Sequence, residues 1–515
     1  MLVTRLAGLT KSVRRGALLP GTVVLALLAG SALAPAADTR SAAGNLIYPT
    51  ELVYQGAFRL PQDPAGEGWE WSNWSSALTY YPGGDPSGPS DGYPGSLFGT
   101  GHDWYQRVSE ISIPVPVVSP AKDLNQLPTA GTLQAFADIR GGLFGDMEMP
   151  RVGLEYLPAQ GSQTAGKLYF AWAPHLDEGA TSPSHGWCNL NLSSPQSAGA
   201  WRVGNYWNYV TGDYLFAIPH EWAAAYTPGR SLATGRFRDG GQGAQGPALF
   251  AIGPWNQGNP PPPNTTLPAQ PLLLYGNAYQ SNPPSMNSYH HSDEWTGGAW
   301  LTAGGKSAVL FAGTKGTGSC WYGCADGTSE PPWPPDCQRG WWSTGFVAQL
   351  LFYDPADLAS VVQGRMETWQ PQPYATLNID PYLYHIASTQ QKYHLGATAF
   401  DRDRGLLYVI EPLVDNDRPL VHVWELQPGP STGPTITSVR SKTSKPGSQA
   451  TINGSGFSAV SSGNVVKFGR YTAAVTRART TKLTVTIPRK CRKGNTMVTV
   501  TVAGIVSNAV QFLVK

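Results

Sequence analysis

Carboxylates gather in a few Gly- and Trp-rich stretches of this chain: Asp103, Glu148, Asp177, Glu178, Asp293, Glu294 and Glu411. Two carboxyl groups on either side of a sugar linkage can cleave it. One gives its proton to the leaving oxygen and the other acts as base or nucleophile, their separation deciding the stereochemistry. A second set is built on histidine: His102, His175, His185, His290 and His291, with Tyr105, Tyr289, Arg107 and Lys315. In such a set Arg or Lys neutralises the carboxylate of a uronic acid while His or Tyr removes the neighbouring proton, so the bond breaks by elimination. From the two sets, Asp103, Asp293, Glu294, His102 and His291 are the catalytic candidates. Trp104, Tyr105, Arg107, His175, His185, Trp295 and Lys315 are the candidates for holding substrate.

Other chemistries find less support. In an extended chain the adjacent His290 and His291 point to opposite sides, so no metal site is expected. Asp415-Asn416-Asp417 lacks the remaining oxygen ligands of a calcium loop and reads as a turn. No phosphate-cradling Gly loop and no nucleophile elbow occurs, and no cofactor is expected. A formal charge of +2 over 515 residues gives no electrostatic footprint for nucleic acid.

The elements that must position these residues repeat along the chain from about residue 45 to 427. An apolar strand, a short turn, a second strand and a longer loop recur. The pattern reads Ser76 to Tyr81, Ser96 to Thr100 and Val108 to Pro114; then Val152 to Leu157, Lys167 to Trp172 and Trp187 to Leu192. It returns in Gly298 to Leu301, Ser307 to Gly313 and Phe346 to Tyr353, and again in Gly396 to Phe400, Gly405 to Ile410 and Leu420 to Leu426. Tyr214 to Pro219 and Ala248 to Ile252 mark a more degraded unit. Such radial repetition predicts an all-β chain whose large domain is a five-bladed β-propeller. In a blade, the loop leaving the second strand and the segment leading into the first emerge on one face. Those are the long, polar and aromatic segments here, and they hold seven of the nine histidines. A propeller loaded on one face is expected to bind something at that mouth.

Composition agrees: 59 Gly and 45 Pro punctuate turns, while 18 Trp and 23 Tyr suit strands and also sugar-stacking surfaces. Residues 1–36 read as an export signal, with Arg5, Lys11, Arg14 and Arg15 before an apolar run and small residues at Ala32, Ala34 and Ala36. The mature chain is then expected to be secreted or on the cell surface, with no membrane insertion after signal removal. Of five cysteines, Cys320, Cys324 and Cys337 lie together, and an exported chain is expected to form one disulfide among them.

Residues 428–434 form a Pro-rich linker, and residues 435–515 carry strands at even spacing that predict an immunoglobulin-like β-sandwich. Gly454-Ser455-Gly456-Phe457, Val466-Lys467-Phe468-Gly469 and the closing Ser507-Asn508 closely resemble the IPT/TIG family. That resemblance implies a fold and fixes no activity. The large domain loosely resembles five-bladed propellers that act on polysaccharides. The resulting expectation is an enzyme cleaving an extracellular polysaccharide at the propeller mouth, glycoside hydrolase ahead of polysaccharide lyase. The alternative is a non-catalytic glycan-binding or adhesion protein.

Overall fold

The computed structural model describes residues 45–62, 70–72, 77–176, 181–236, 238–324, 340–427, 434–458, 461, 464–502 and 505–515. The export signal, most of the linker, Asp177, Glu178 and Cys337 lie outside the described residues.

Five antiparallel sheets account for residues 52–426. Blade one is Leu78–Tyr81, Ser96–Thr100, Val108–Ser112 and Thr132–Ala137. Blade two is Arg151–Leu157, Lys167–Ala173, His185–Cys188 and Ala198–Val203, with Thr266–Leu267 added in parallel at its edge. Blade three is Tyr214–Ala217, Leu232–Gly235, Leu249–Ile252 and Gln270–Leu273. Blade four is Glu294–Ala303, Lys306–Tyr322, Trp341–Tyr353 and Ala375–Asn378. Blade five is Thr398–Asp401, Leu406–Asp415 and Arg418–Leu426, and its outer strand is Leu52–Arg59 from the start of the domain. That strand pairs antiparallel with the last one, Leu52 opposite Leu426 and Arg59 opposite Leu420. The two ends of the domain are thereby tied together. The first strands of the blades lie against one another in a closed ring, the fifth returning to the first. The large domain is a five-bladed propeller.

Strand alternation explains why the blades stack. Successive side chains leave a strand on opposite faces, so a strand buried on both must be apolar throughout. In Lys167–Ala173, Leu168, Phe170 and Trp172 fill the interface with blade one, while Tyr169 and Ala171 fill the interface with blade three. Each of the five interfaces between neighbouring blades holds one such cluster. Burying a side chain the size of Phe170 contributes about 2 kcal/mol.

The channel down the middle is almost closed. Small residues such as Gly153, Gly297 and Ala397 bring the inner strands together, leaving about 10 Å³. Below this constriction the channel is sealed by charge. Glu155 accepts hydrogen bonds from Thr79 Oγ1 at 3.0 Å and the Ala217 amide at 2.9 Å. Arg402 donates to the carbonyls of Trp300 and Ala217 and to Thr302 Oγ1, all within 3.1 Å. The space above the constriction is therefore a cup rather than a pore.

The blade-four hairpin continues to Tyr322 and resumes at Trp341, with Cys320 opposite Ser343 and Tyr322 opposite Trp341. Cys324 is disulfide-bonded, and Cys188, Cys320 and Cys491 are free thiols.

After the propeller, eight strands from Thr435–Ser441 to Val510–Val514 form the immunoglobulin-like sandwich. Its core alternates along each strand: in Val465–Phe468, Val466 and Phe468 are buried while Val465 and Lys467 face out. No helix among the described residues is long and apolar enough to cross a membrane.

Candidate functional site

The cup at the mouth has a volume of about 220 Å³ and takes side chains from every blade. Blade one supplies Asp103 and Gln106 from the loop after its second strand. Blade two supplies Arg151 where its inner strand begins and His175 just after its second strand. Arg236, Arg238 and Asp239 leave the second strand of blade three, Glu294 opens the inner strand of blade four, and Tyr393 precedes that of blade five. All these positions are lead-ins to first strands or exits from second strands, which is why they meet.

Several walls carry strained backbone. Gln106, Met149 and Tyr393 have φ values of 48°, 43° and 58°, in the left-handed region that side chains with a Cβ avoid. Such residues cost on the order of 1–3 kcal/mol each and persist where surrounding contacts hold them. Gln106 is held by its side-chain amide, which donates to the Asp103 carbonyl at 3.1 Å and the Pro150 carbonyl at 3.2 Å. Gly240, beside Asp239, has φ 76°, and a Cβ there would lie 2.5 Å from the Trp341 indole nitrogen. Only glycine fits that turn.

The cup is lined with charge. Arg151 Nη2 donates to Glu294 Oε1 at 2.7 Å. Lys392 Nζ lies 3.8 Å from Asp239 Oδ2, and His102 Nδ1 lies 3.2 Å from Asp103 Oδ1. Arg236 and Arg238 stack over the Tyr209 ring, 4.9 and 4.6 Å from its centroid. Beneath them Asp213 is fully buried, and neither of its carboxylate oxygens has a hydrogen-bond partner. Burial pushes its carboxyl up to about 6, against the pull of Arg151 and Arg236. Burial also lowers Arg236 to about 10, opposed by Asp213 and helped by the like charges of Arg151 and Arg238.

His175 Nδ1 faces the Glu148 carbonyl at 2.8 Å, so that nitrogen donates and Nε2 keeps the lone pair. Burial, with Arg151 and Arg238 nearby, holds the ring below the ordinary histidine range and therefore neutral. Burial raises the Tyr393 phenol, which Glu294 and Asp239 reinforce against Lys392, so it keeps its proton.

Of the residues expected at the mouth, Asp103, His175 and Glu294 line the cup. His102 sits against Asp103, and Trp104 beside it is half exposed. Tyr105 is also exposed, with the Arg107 guanidinium 5.2 Å from its ring centroid. His291 stands one step back: its carbonyl accepts from the Gly240 amide and its ring stacks on Trp341 at 4.5 Å.

Four expectations need correcting. Trp295 is fully buried between blades three and four. It follows Glu294 on a strand, so the two side chains take opposite faces and only Glu294 reaches the cup. His185 is also buried, bonded to Ser184 Oγ and Thr234 Oγ1, and burial depresses it to about 3. Asp293 is fully buried and Lys315 nearly so, and they pair at 2.9 Å outside the cup. Asp293 further accepts from the Gly316 and His290 amides, which makes the pair a brace for the start of blade four. Arg151, Arg236, Arg238, Asp239 and Tyr393 escaped sequence reasoning. The charged run from Arg236 to Gly241 was the available signal for three of them. Among the described residues, no group of three or more His, Cys, Asp or Glu is arranged to hold a metal ion.

Residues 434–514 match the IPT/TIG domain family, so the C-terminal sandwich is an IPT/TIG domain. No curated protein matches the chain. Similarity to three solved structures is weak. A Bacteroides thetaiotaomicron protein of unknown function is 21% identical over 17% of this chain and 22% of its own, with TM-score 0.16. The chain thus spans under a quarter of that protein's length. A PQQ-bound aldose sugar dehydrogenase from Streptomyces coelicolor is 12% identical over 72% of this chain and 98% of its own, with TM-score 0.31. A β-fructofuranosidase from Bombyx mori, in complex with sucrose, is 10% identical over 91% of this chain and 83% of its own, with TM-score 0.33. The last two are sugar-acting proteins, and their structural similarity to this chain is weak.

Proposed function

We propose that this is an exported enzyme that cleaves a polysaccharide bound across the propeller mouth. The observation that carries the reading is the meeting of Asp103, Asp239 and Glu294, from three different blades, in one cup with an exposed tryptophan beside it. In the hydrolytic form of the reaction Asp103 protonates the leaving oxygen. Glu294, oriented by Arg151, acts as base or nucleophile. Elimination is the second reading, and the tautomer of His175 favours it. A neutral ring with its Nε2 lone pair free can take a proton, while Tyr393 holds one to give to the leaving oxygen.

The test is to incubate the full chain with neutral and acidic polysaccharides, following new reducing ends and the ultraviolet absorbance of unsaturated products. Hydrolysis predicts reducing ends without unsaturation, and a loss of roughly 10²–10⁴-fold in turnover for Asp103→Asn and Glu294→Gln. Elimination predicts unsaturated products and the larger loss in His175→Ala. Polymers that bind but are never cut would leave a lectin and end the enzymatic reading.

A further inference from the structure

We propose that the cup is selective for an acidic sugar, whose carboxylate is held by Arg236 and Arg238. This rests on the glycan reading above and names the substrate class. Several arginines of the propeller lie in contact with carboxylates. Arg59 and Arg418 meet Asp415, Arg140 meets Asp138, and in the cup itself Arg151 meets Glu294. Arg236 and Arg238 lack such a partner, as Arg402 does, but they lie side by side over one ring where Arg402 has Glu155 nearby. Arg236 is 1% exposed, and among the described residues its guanidinium donates to the carbonyls of Pro174 at 3.1 Å and His175 at 3.4 Å and to no carboxylate. Arg238 donates to the His175 carbonyl and, at 3.1 Å, to the Tyr209 hydroxyl. The Nε of each is buried without a partner among the described residues; that of Arg418 is too, so it is the missing carboxylate that sets the pair apart.

Carbonyls and a ring face orient a guanidinium without neutralising it. Two such cations side by side are costly to bury unless an anion joins them. Asp213 answers part of this charge from below, as its effect on Arg236 shows, but makes no hydrogen bond to either arginine. A planar carboxylate fits the fork of a guanidinium better than a hydroxyl does and supplies the missing charge. The cup's volume of about 220 Å³ suits a single sugar ring, with the rest of the polymer left to the rim. The cation pair, the neutral His175 and the protonated Tyr393 then surround the one ring that carries the acid.

The test is calorimetric titration of the full chain at neutral pH with D-glucuronate, D-galacturonate, their methyl esters, glucose and glucose 6-sulfate. One of the two free acids is expected to bind, with its methyl ester and glucose about tenfold or more weaker, the loss expected for a charge-assisted contact. Arg238→Gln should abolish that preference. It is used because Arg236 variants risk unfolding, and its melting temperature is read alongside. Equal binding of acid, ester and glucose would overturn the proposal, as would an acid preference that survives Arg238→Gln. Tighter binding of the 6-sulfate than of either acid would assign the pair to sulfate esters and overturn it equally. If neutral polymers alone are cleaved, in a reaction that Asp103→Asn stops, the acidic-sugar inference fails and the enzymatic reading stands. If no probe binds and no polymer is bound or cut, both fail.

Discussion

The two ends of the propeller channel bury the same kinds of charge and treat them differently. At the base, Glu155 uses both carboxylate oxygens and Arg402 makes three hydrogen bonds to blades three and four. At the mouth, Asp213 makes none, and Arg236 and Arg238 each leave a buried Nε without a partner. A satisfied buried network fixes structure, whereas an unsatisfied one stores free energy that a ligand can release. The base therefore holds the blades together, and the unsatisfied groups at the mouth are those the proposed ligand would meet. Both ends are built by the same rule of strand ends converging on an axis, and the completeness of pairing differs between them.

Breaking the base should produce the largest change in stability. Arg402→Met removes three charge-assisted hydrogen bonds to blades three and four, a loss of about 4 kcal/mol or more at roughly 1.5–3 kcal/mol each. Urea unfolding should show it, while turnover per folded molecule on the identified polymer stays at the parent value. A fall in turnover at unchanged stability would erase the distinction between the two ends.

A smaller effect sharpens the mouth side. Burial raises Asp213 from its ordinary 3.8 to about 6, so the folded protein binds this proton more tightly than the unfolded chain does. The stabilisation is complete below the unfolded value and is lost as pH rises through the folded one. Relative to Asp213→Asn, the parent should lose at most about 3 kcal/mol between roughly pH 4 and 7. Differencing against the variant isolates this group from His185, which acts in the opposite sense. Burial depresses that ring to about 3, so its contribution is present above about pH 6.5 and declines on acidification. A difference curve that is flat across this window would mean that Asp213 is paired in solution.

The loaded face was legible because the lead-ins to the first strands are long, polar and aromatic in every blade, although blades one and three also join their first and second strands over long segments, Tyr81 to Ser96 and Ala217 to Leu232. That loading led to Asp103, His175 and Glu294. It failed where one residue of register mattered. Trp295 stands next to Glu294 in sequence and on the opposite face of the strand, a distinction that depends on knowing that the strand begins at Glu294. Blade three hid its arginines for another reason. Its strands, Tyr214–Ala217, Leu232–Gly235 and Leu249–Ile252, have four residues each, and the helix His220–Tyr226 interrupts the first two. Runs that short carry almost no alternation, so Arg236 and Arg238 could not be placed at a strand exit. The closing strand Leu52–Arg59 pairs with a partner more than three hundred residues away, which no local pattern reports.

The most direct test of the central claim is a crystal structure of the Glu294→Gln chain soaked with the shortest oligosaccharide that the parent cleaves. The account predicts a sugar ring in the cup between Asp103 and residue 294, its acid group on Arg236 and Arg238, and its neighbouring unit against Trp104. A sugar bound elsewhere, such as the groove beside Trp222 and Tyr226, with the cup left empty, would contradict the assignment of the mouth as the active centre.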